Sequence, residues 1–133
     1  MSEANIALVQ SAYGAYARGD IGAVLSVLAP EVEWHSVGRP EDFPAFGPRK
    51  GIPAVQDFFK TVAELIEFSE FSPQEFYCDR DKVFVLGHYA MTTRRTGRKV
   101  ASDWVHIFTF RGGRVVQFRE FLDTAQLAGA HRG

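Results

Sequence analysis

The stretch ASDWVHIFTFRGGRVVQFREFLD, residues 101–123, carries the strongest evidence for the fold that we predict for this chain. It contains two runs in which apolar and polar residues alternate, and a pair of glycines separates them. Alternation with a period of two is typical of β-strands, and a glycine pair between two such runs is typical of a hairpin turn. The stretch therefore predicts a β-hairpin. It also raises a question of function, because Trp104, His106 and Glu120 must point either into a pocket or out to water.

Two registers of this hairpin are compatible with its turn. If the two glycines alone form the turn, Glu120 lies opposite Val105 and on the other face from His106. If the turn also includes Arg111, Glu120 lies opposite Trp104 and shares a face with His106. We prefer the three-residue turn because it gathers the apolar side chains on one face, although a slip of one residue would reverse every side chain.

A histidine or a glutamate in a strand is commonly a structural residue, so the two side chains need a further argument. Burying a carboxylate is costly unless it is paired or protonated. A carboxylate, an imidazole and an indole on one face of one hairpin therefore favour a pocket. In such a pocket we expect burial to move the pKa of Glu120 towards neutrality.

The rest of the chain predicts helices first and strands after them. Apolar residues recur at spacings of three and four in three segments, which indicates three helices with one buried face each. These positions are Ile6, Val9, Tyr13 and Tyr16; Val24, Leu25, Val27 and Leu28; and Val55, Phe58, Phe59, Val62, Leu65 and Ile66. Asp20 is predicted to cap the second helix and Pro30 to end it. The strands predicted from alternation cover residues 31–37, 72–78, 82–93, 99–110 and 114–122. The order is typical of the α+β class, in which helices pack on one face of an antiparallel sheet.

Composition and charge narrow the classes of protein. The 133 residues fit a single domain over residues 1–133, and 46% hydrophobic with 23% charged residues is typical of a soluble globular chain. A formal net charge of -1 argues against a nucleic-acid partner. The N-terminal segment lacks the pattern of a signal peptide and no apolar run could span a membrane, which predicts a cytoplasmic location and no membrane partner. Cys78 is the only cysteine and the histidines lack ligand spacing, so we predict no disulfide and no metal site.

The layout resembles the nuclear transport factor 2-like superfamily, in particular its SnoaL-like and ketosteroid isomerase-like members. The segments that carry the resemblance are YARGD at 16–20, LAPEVEWH at 28–35, GIPAVQDFF at 51–59 and FTFRGGRVVQFREFLDTAQL at 108–127. The resemblance implies a cone-shaped, cystatin-like fold in which a curved antiparallel sheet wraps around a long helix. It also implies one deep apolar pocket, and in many members a homodimer formed through the convex face of the sheet.

The resemblance transfers the superfamily's chemistry only in part. His106 takes the strand position that donates a hydrogen bond to a developing oxyanion in ketosteroid isomerases. Their general base and helix-one tyrosine correspond to Trp34 and Ala12 here, so steroid isomerisation is not expected. Glu120 matches a carboxylate near the end of the last strand in limonene epoxide hydrolases. The pairing of an acid with a histidine, as in polyketide cyclases of this type, is the chemistry that these positions retain.

We therefore predict a pocket for a small apolar molecule, in which Glu120 is the base and His106 or Tyr89 polarises the substrate. The substrate-binding residues are predicted to be Trp34, Ser36, Phe46, Phe58, Phe59, Val62, Met91, Trp104 and Phe118. The loop over 38–50 is predicted to place Phe43 or Phe46 over the pocket mouth. The reaction would be that of an isomerase, cyclase, dehydratase or hydrolase on a cyclic or polyketide-like substrate, without a cofactor. A non-catalytic ligand-binding or dimerisation module of the same fold remains the alternative.

The outer face of the predicted sheet also carries apolar residues. Val85, Val105 and Ile107 are examples, and exposed apolar side chains of this kind favour burial against a second subunit. We therefore predict a homodimer whose sheets pack face to face.

Overall fold

The computed structural model describes residues 2–133, which form four helices and six strands. In chain order these are α1 (Ser2–Ala17), α2 (Ile21–Ser26), β1 (Leu28–Ser36), β2 (Gly47–Lys50), α3 (Ile52–Leu65), β3 (Ile66–Asp79), β4 (Lys82–Thr93), β5 (Lys99–Arg111), β6 (Arg114–Phe121) and α4 (Thr124–Arg132). None of the described helices has the length and apolar character needed to cross a membrane.

All six strands belong to one sheet, in the order β2-β1-β6-β5-β4-β3. Neighbouring strands are antiparallel except for β1 and β6, which pair in parallel. A parallel pair needs a long connection, and helix α3 with strands β3 to β5 provides it. The predicted α+β class with N-terminal helices and one large sheet is confirmed.

Irregular pairing bends this sheet around the helices. Register shifts interrupt the pairs β1–β6, β3–β4 and β5–β6. Bulges of this kind increase the local twist and curl a sheet. Helix α3 buries Val55, Phe58 and Val62, which are three of the six positions that helical spacing predicted to share one face, whereas Ile66, the last of the six, begins β3. The core therefore lies on the inner face of the curled sheet.

The register of the last hairpin differs from both predicted alternatives. Arg111 pairs with Arg114, so the two glycines alone form the turn and the preferred three-residue turn was wrong. Both glycines have positive φ angles, 58° and 78°, as a tight hairpin turn requires. The pairing then skips Val116, and this bulge brings Glu120 directly opposite His106. The predicted face of Glu120 was right, but a bulge and not a longer turn is the cause.

The first two strands also differ from the prediction. β1 begins at Leu28, so Pro30 lies inside a strand and does not end the preceding helix. The register between β1 and β6 shifts between Leu28 and Glu33, so Pro30 falls where the regular ladder is interrupted and its missing N–H is tolerated. β2 was predicted as loop. It is an edge strand, and an edge tolerates Pro48 because one side of the strand needs no hydrogen bonds.

Side-chain caps begin two of the helices. Asp20 caps α2 as predicted, because its carboxylate accepts a hydrogen bond of 3.1 Å from the backbone N–H of Ala23. The sequence prediction missed α4. Asp123 caps this helix by accepting 3.0 Å from the N–H of Gln126, and buried Leu127 packs into the core.

The outer face of the sheet carries apolar side chains, although not all of those predicted. Val105 and Ile107 lie on this face and are partly exposed. Val85 is fully buried, because its position on β4 points to the inner face, so the prediction for Val85 was wrong. Leu86 and Phe121, which both pair with Val105, are 36% and 39% exposed. These three neighbours form an apolar row across β4, β5 and β6.

Candidate functional site

A cavity of about 90 Å³ lies between the inner face of the sheet and helices α1 and α3. Its wall is almost entirely apolar and largely aromatic. Eleven of the twelve predicted pocket residues line it: Trp34, Ser36, Phe46, Phe58, Phe59, Val62, Tyr89, Met91, His106, Phe118 and Glu120. Trp104 is not among the lining residues.

The segment between β1 and β2 closes over part of this cavity. Phe43 and Phe46 both line it and are 1% and 3% exposed. Their ring centroids lie 5.2 Å apart, and the ring of Phe43 meets His131 of α4 edge-on at 5.0 Å. A Cβ atom on Gly38 would lie 2.7 Å from the ring of Phe46, so glycine is needed for this ring to turn inward. Both phenylalanines thus turn inward and line the cavity, and their role as a lid stays a prediction.

Five polar side chains meet on one wall of the cavity and form the polar cluster: Tyr13, Ser36, Tyr89, His106 and Glu120. The Nε2 atom of His106 lies 3.0 Å from Oε2 of Glu120 and 2.9 Å from the hydroxyl of Tyr89. Tyr89 also donates its hydroxyl proton to Oε2 of Glu120. Ser36 donates to the other oxygen of Glu120 at 2.8 Å. On the far side of the imidazole, the hydroxyl of Tyr13 lies 2.7 Å from Nδ1 of His106.

The register of the sheet brings most of the polar cluster together. Glu120 on β6 is the direct partner of His106 on β5 and of Ser36 on β1. Side chains of directly opposed residues on one face lie within hydrogen-bonding reach of each other. Tyr89 reaches the same carboxylate from β4, and Tyr13 reaches it through His106 from helix α1. Strands that are distant in the sequence are therefore joined by one carboxylate.

Hydrogen bonding sets the charge of Glu120. Burial alone would raise the pKa of its carboxyl group, but the hydrogen bond from His106 and the positive charge that His106 carries once it is protonated in acid, together with the hydrogen bonds from Tyr89 and Ser36, outweigh burial and leave that pKa below its ordinary value. The expectation that the pKa of Glu120 would move towards neutrality was therefore wrong. It considered burial without the three donors that converge on the carboxylate.

The protonation of His106 follows from its surroundings. Burial lowers the pKa of His106, and the partner Glu120 only partly opposes this effect, so the imidazole is neutral at neutral pH. An ionised carboxylate can only accept hydrogen bonds, so Nε2 of His106 carries the proton and donates a hydrogen bond to Glu120. Nδ1 then accepts from the hydroxyl of Tyr13. The polar cluster thus holds one negative charge.

The tyrosines of the cavity stay protonated at neutral pH. Burial and the charge of Glu120 raise the pKa values of Tyr13 and Tyr89 well above the ordinary tyrosine value. The same two causes raise the pKa of Tyr16 to about 12. These hydroxyls are therefore hydrogen-bond donors under ordinary conditions and not bases.

Trp104 supports the site from behind and does not line the cavity. Its ring stacks on the imidazole of His106, with ring centroids 3.8 Å apart and an interplanar angle of 22°. Trp104 is 2% exposed and pairs across the sheet with Gly87. A Cβ atom on Gly87 would lie 2.2 Å from the indole, so this glycine provides the space for Trp104. The prediction that Trp104 contacts substrate is replaced by a role in holding His106.

The sequence prediction missed Tyr13 as a member of the polar cluster. Tyr13 was assigned to the buried face of helix α1, and that assignment agrees with its position against the sheet. Its neighbour Ala12 was compared with the isomerase tyrosine, but Tyr13 is the residue that reaches His106. Helical spacing indicates which face is buried, but it does not indicate which strand residue that face will meet.

Potential metal ligands do not gather elsewhere in the described chain. Within residues 2–133 no three side chains of His, Cys, Asp or Glu lie together as metal ligands would. His88 lies on the outer face and contacts Asp103 at 2.9 Å. The prediction of a site without metal or cofactor stays a prediction.

Comparison with protein families gives one match over most of the chain. The sequence pattern of the SnoaL-like domain family matches residues 9–118. Among functionally curated proteins, none matches the chain in sequence.

Solved structures share the whole fold. A nuclear transport factor 2-like protein of unknown function from Burkholderia pseudomallei is 30% identical, with all of both chains covered and a TM-score of 0.90. TerC, crystallised together with polyporic acid, is 26% identical over 98% of this chain and 99% of its own, with a TM-score of 0.84. A protein of unknown function with a cystatin-like fold from Xanthomonas campestris is 22% identical, covers 100% of this chain and 99% of its own, and has a TM-score of 0.84. The last likeness supports the fold alone.

Proposed function

The chain belongs to the SnoaL-like domain family, and on this premise we propose that it binds a small, largely apolar molecule of cyclic or polyketide-like type and carries out acid–base chemistry on it without a cofactor. Isomerisation, cyclisation, dehydration and hydrolysis all fit this chemistry. The observation that carries the proposal is the hydrogen bond of 3.0 Å between Glu120 and His106 on the wall of an apolar cavity. Burying a charged group lowers the stability of the folded state, so a buried carboxylate beside a cavity favours a functional role for it.

The polar cluster is suited to take up one proton and return it. Its carboxylate is ionised and its imidazole neutral, so the pair has room for one more proton. In the proposed reaction Glu120 removes a proton from the carbon next to a substrate carbonyl, and the negative charge moves to the carbonyl oxygen. Tyr89, whose bond to the carboxylate weakens when Glu120 becomes neutral, then donates to that oxygen. Return of the proton to a different carbon completes an isomerisation.

His106 has two roles in this proposal. Its Nε2–H stabilises the carboxylate before the reaction, and its Nδ1, which accepts a hydrogen bond from the hydroxyl of Tyr13, keeps the imidazole in this tautomer and orientation. A proton shared between two coupled groups belongs to the pair and not to either residue. The base is therefore Glu120 together with His106.

The size of the cavity limits the ligand. Its volume of about 90 Å³ is smaller than the roughly 150 Å³ of an engineered apolar cavity that binds benzene. A ligand with one ring therefore requires the cavity to widen, and we propose that an outward movement of Phe43 or Phe46 provides the space. The co-crystallisation of TerC, which shares this fold, with polyporic acid supports an organic molecule as the ligand class of this chain.

Hydrogen exchange tests the proposal without knowledge of the substrate. We would incubate cyclohexanone with the protein in D₂O and follow the exchange of its α-hydrogens by ¹H NMR. The wild type should accelerate the exchange, and Glu120→Gln should lower the acceleration by about 10²-fold or more, since it removes the base and keeps the shape. Glu31→Gln removes one exposed carboxylate from β1 and serves as the matched control.

Two outcomes would contradict catalysis by the polar cluster. Equal exchange by the wild type and Glu120→Gln would exclude Glu120 as the base. Binding of cyclohexanone without any acceleration would favour the alternative function, a non-catalytic ligand-binding module of the same fold.

The apolar row of Leu86, Val105 and Phe121 favours a second part of the proposal, a homodimer formed through the outer face of the sheet. Leu86 and Phe121 are large, 36% and 39% exposed, and separated only by Val105. Adjacent exposed apolar side chains of this size are typical of protein interfaces. Light scattering at micromolar concentration should give twice the chain mass, and Leu86→Glu should give the monomer mass. A monomeric wild type would exclude the homodimer.

A further inference from the structure

The charge of the cavity points to the kind of ligand that it selects. Among the described residues that line the cavity, Glu120 is the only one ionised at neutral pH, and none is a lysine or arginine. Arg49 lies over the ring of Phe58 at 5.7 Å, but its guanidinium is paired with Asp57 at 2.9 Å. The negative charge is therefore hydrogen-bonded but has no cation of its own.

The donors of the polar cluster are already engaged. The hydroxyls of Tyr89 and Ser36 and the Nε2–H of His106 all point to Glu120, and the hydroxyl of Tyr13 points to Nδ1 of His106. What the cluster can still offer a ligand is the remaining lone pairs on its oxygens. A ligand group that meets the cluster in this resting state must therefore be a donor, because Tyr89 becomes free to donate to a ligand only after Glu120 has taken up a proton.

Aromatic rings surround the approach to the cluster. Phe71 lies 5.1 Å from the ring of Tyr89, 5.1 Å from Tyr16 and 6.0 Å from Tyr13, and all four rings line the cavity. Ring faces carry partial negative charge and attract cations, more strongly where water is excluded. The aromatic walls and the carboxylate of Glu120 therefore both favour a positively charged ligand.

We propose that the cavity selects a ligand bearing a protonated amine, which donates to the carboxylate of Glu120 while its apolar part contacts the aromatic wall. This inference rests on the proposed function only in that the cavity is the ligand site. A hydroxyl group satisfies the same donor requirement without the charge, so it binds more weakly. A carboxylate ligand is repelled, and an organic acid enters only in its uncharged form.

Three probes of nearly equal shape test this selectivity: benzylamine, benzyl alcohol and benzoate at pH 7. We would measure their dissociation constants by NMR titration of the full chain. Benzylamine, protonated at this pH, should bind at least tenfold more tightly than benzoate and more tightly than benzyl alcohol. In Glu120→Gln the ratio of benzoate to benzylamine dissociation constants should fall at least tenfold, whereas the exposed-site control Glu31→Gln should keep the wild-type ratio.

A second measurement uses the wild type alone and does not depend on the folding of a variant. The ¹³C carboxyl resonance of Glu120 should shift on addition of benzylamine and stay unchanged with benzoate at the same concentration. Benzoate binding as tightly as benzylamine, or an unchanged resonance with benzylamine, would overturn the inference. Exchange of cyclohexanone hydrogens would then still stand as evidence for the proposed function. If none of the probes perturbs the cavity residues, both the inference and the ligand cavity fail.

Discussion

Replacing Gly87 by alanine tests how far the polar cluster depends on the packing behind it. Gly87 on β4 lies opposite Trp104 on β5, and the indole stacks on His106. The added Cβ atom would lie 2.2 Å from the indole of Trp104 and 2.5 Å from the carbonyl oxygen of Ser72. The indole can shift, but the carbonyl belongs to the neighbouring strand β3, whose backbone is held by pairing with β4.

The structure gives a magnitude for this change. Forcing one extra methyl group into a packed core costs typically about 1–3 kcal/mol. One of the two contacts here is with backbone, so we expect the upper end, about 3 kcal/mol of unfolding free energy. With a slope of about 2 kcal/mol per molar urea, the unfolding midpoint should fall by roughly 1.5 M. The ring resonances of His106 should also move, because the stacked indole is displaced.

Urea unfolding followed by tryptophan fluorescence measures the loss of stability, and NMR of the imidazole reports the site. Gly129→Ala is the matched control, since Gly129 lies in α4 and a Cβ atom there would have no neighbour within 4 Å. In a helix this change should be neutral or stabilise by about 0.5–1 kcal/mol. Trp104→Phe should reduce the cost of Gly87→Ala, because the smaller ring relieves the contact. A cost of Gly87→Ala below about 0.5 kcal/mol, with unchanged His106 resonances, would show that the polar cluster does not depend on this packing.

Three further predictions concern the cavity and its charge. Tyr13→Phe should leave Nδ1 of His106 buried without a hydrogen-bond donor and lower the unfolding free energy by about 1–3 kcal/mol. The ¹⁵N chemical shifts of the imidazole should change, and unchanged shifts would contradict the hydrogen bond between Tyr13 and His106. Phe43→Ala should widen the cavity, so cyclohexanone should bind more tightly in an NMR titration. The same change should lower the unfolding free energy by about 3–5 kcal/mol, as measured by urea unfolding. Unaltered cyclohexanone binding would exclude Phe43 as a barrier to the ligand. The unfolding free energy should fall as the pH drops below the ordinary histidine pKa of 6.5, because the pKa of His106 is lowered in the folded state and the unfolded state therefore binds more protons. The lowered pKa of Glu120 adds a further loss of stability below the ordinary glutamate pKa of 4.5. Urea unfolding between pH 7.5 and 4 checks this dependence, and His106→Gln should flatten its upper part; an equal slope in that variant would assign the effect to other groups such as His131.

Local patterns predicted the elements whose structure is decided locally. The buried face of α3 follows from the spacing of Val55, Phe58 and Val62, which any helix would place together. The inner face of β5 follows from alternation, so His106 was predicted on the correct side. The prediction missed α4, although Asp123 and Gln126 have the spacing of a capping box and could have indicated its start.

Long-range pairing explains what the sequence left undecided. Ser36 and Glu120 are 84 residues apart and meet only because β1 pairs in parallel with β6. No local signal specifies that partner. The bulge at Val116 did leave a trace, since buried Val115 and Phe118 are three residues apart and break the alternation of period two. The charge of Glu120 depends on donors from three other strands, so burial alone predicted its direction of shift wrongly.

Three departures from an optimally stable sheet converge on one side chain pair, and their convergence argues for function. The bulge leaves Val116 without a pairing partner on β5 and turns Glu120 inward, whereas the two-glycine turn without a bulge would turn Glu120 outward. Gly87 gives up a side chain in a buried strand so that Trp104 can stack on His106. The carboxylate itself is an ionised group in an apolar interior. Each departure costs stability, and together they position one carboxylate and one imidazole at a cavity. Conflicts between local preference and the overall fold are expected at functional sites, so the convergence of these three on Glu120 and His106 favours this cavity as the functional site.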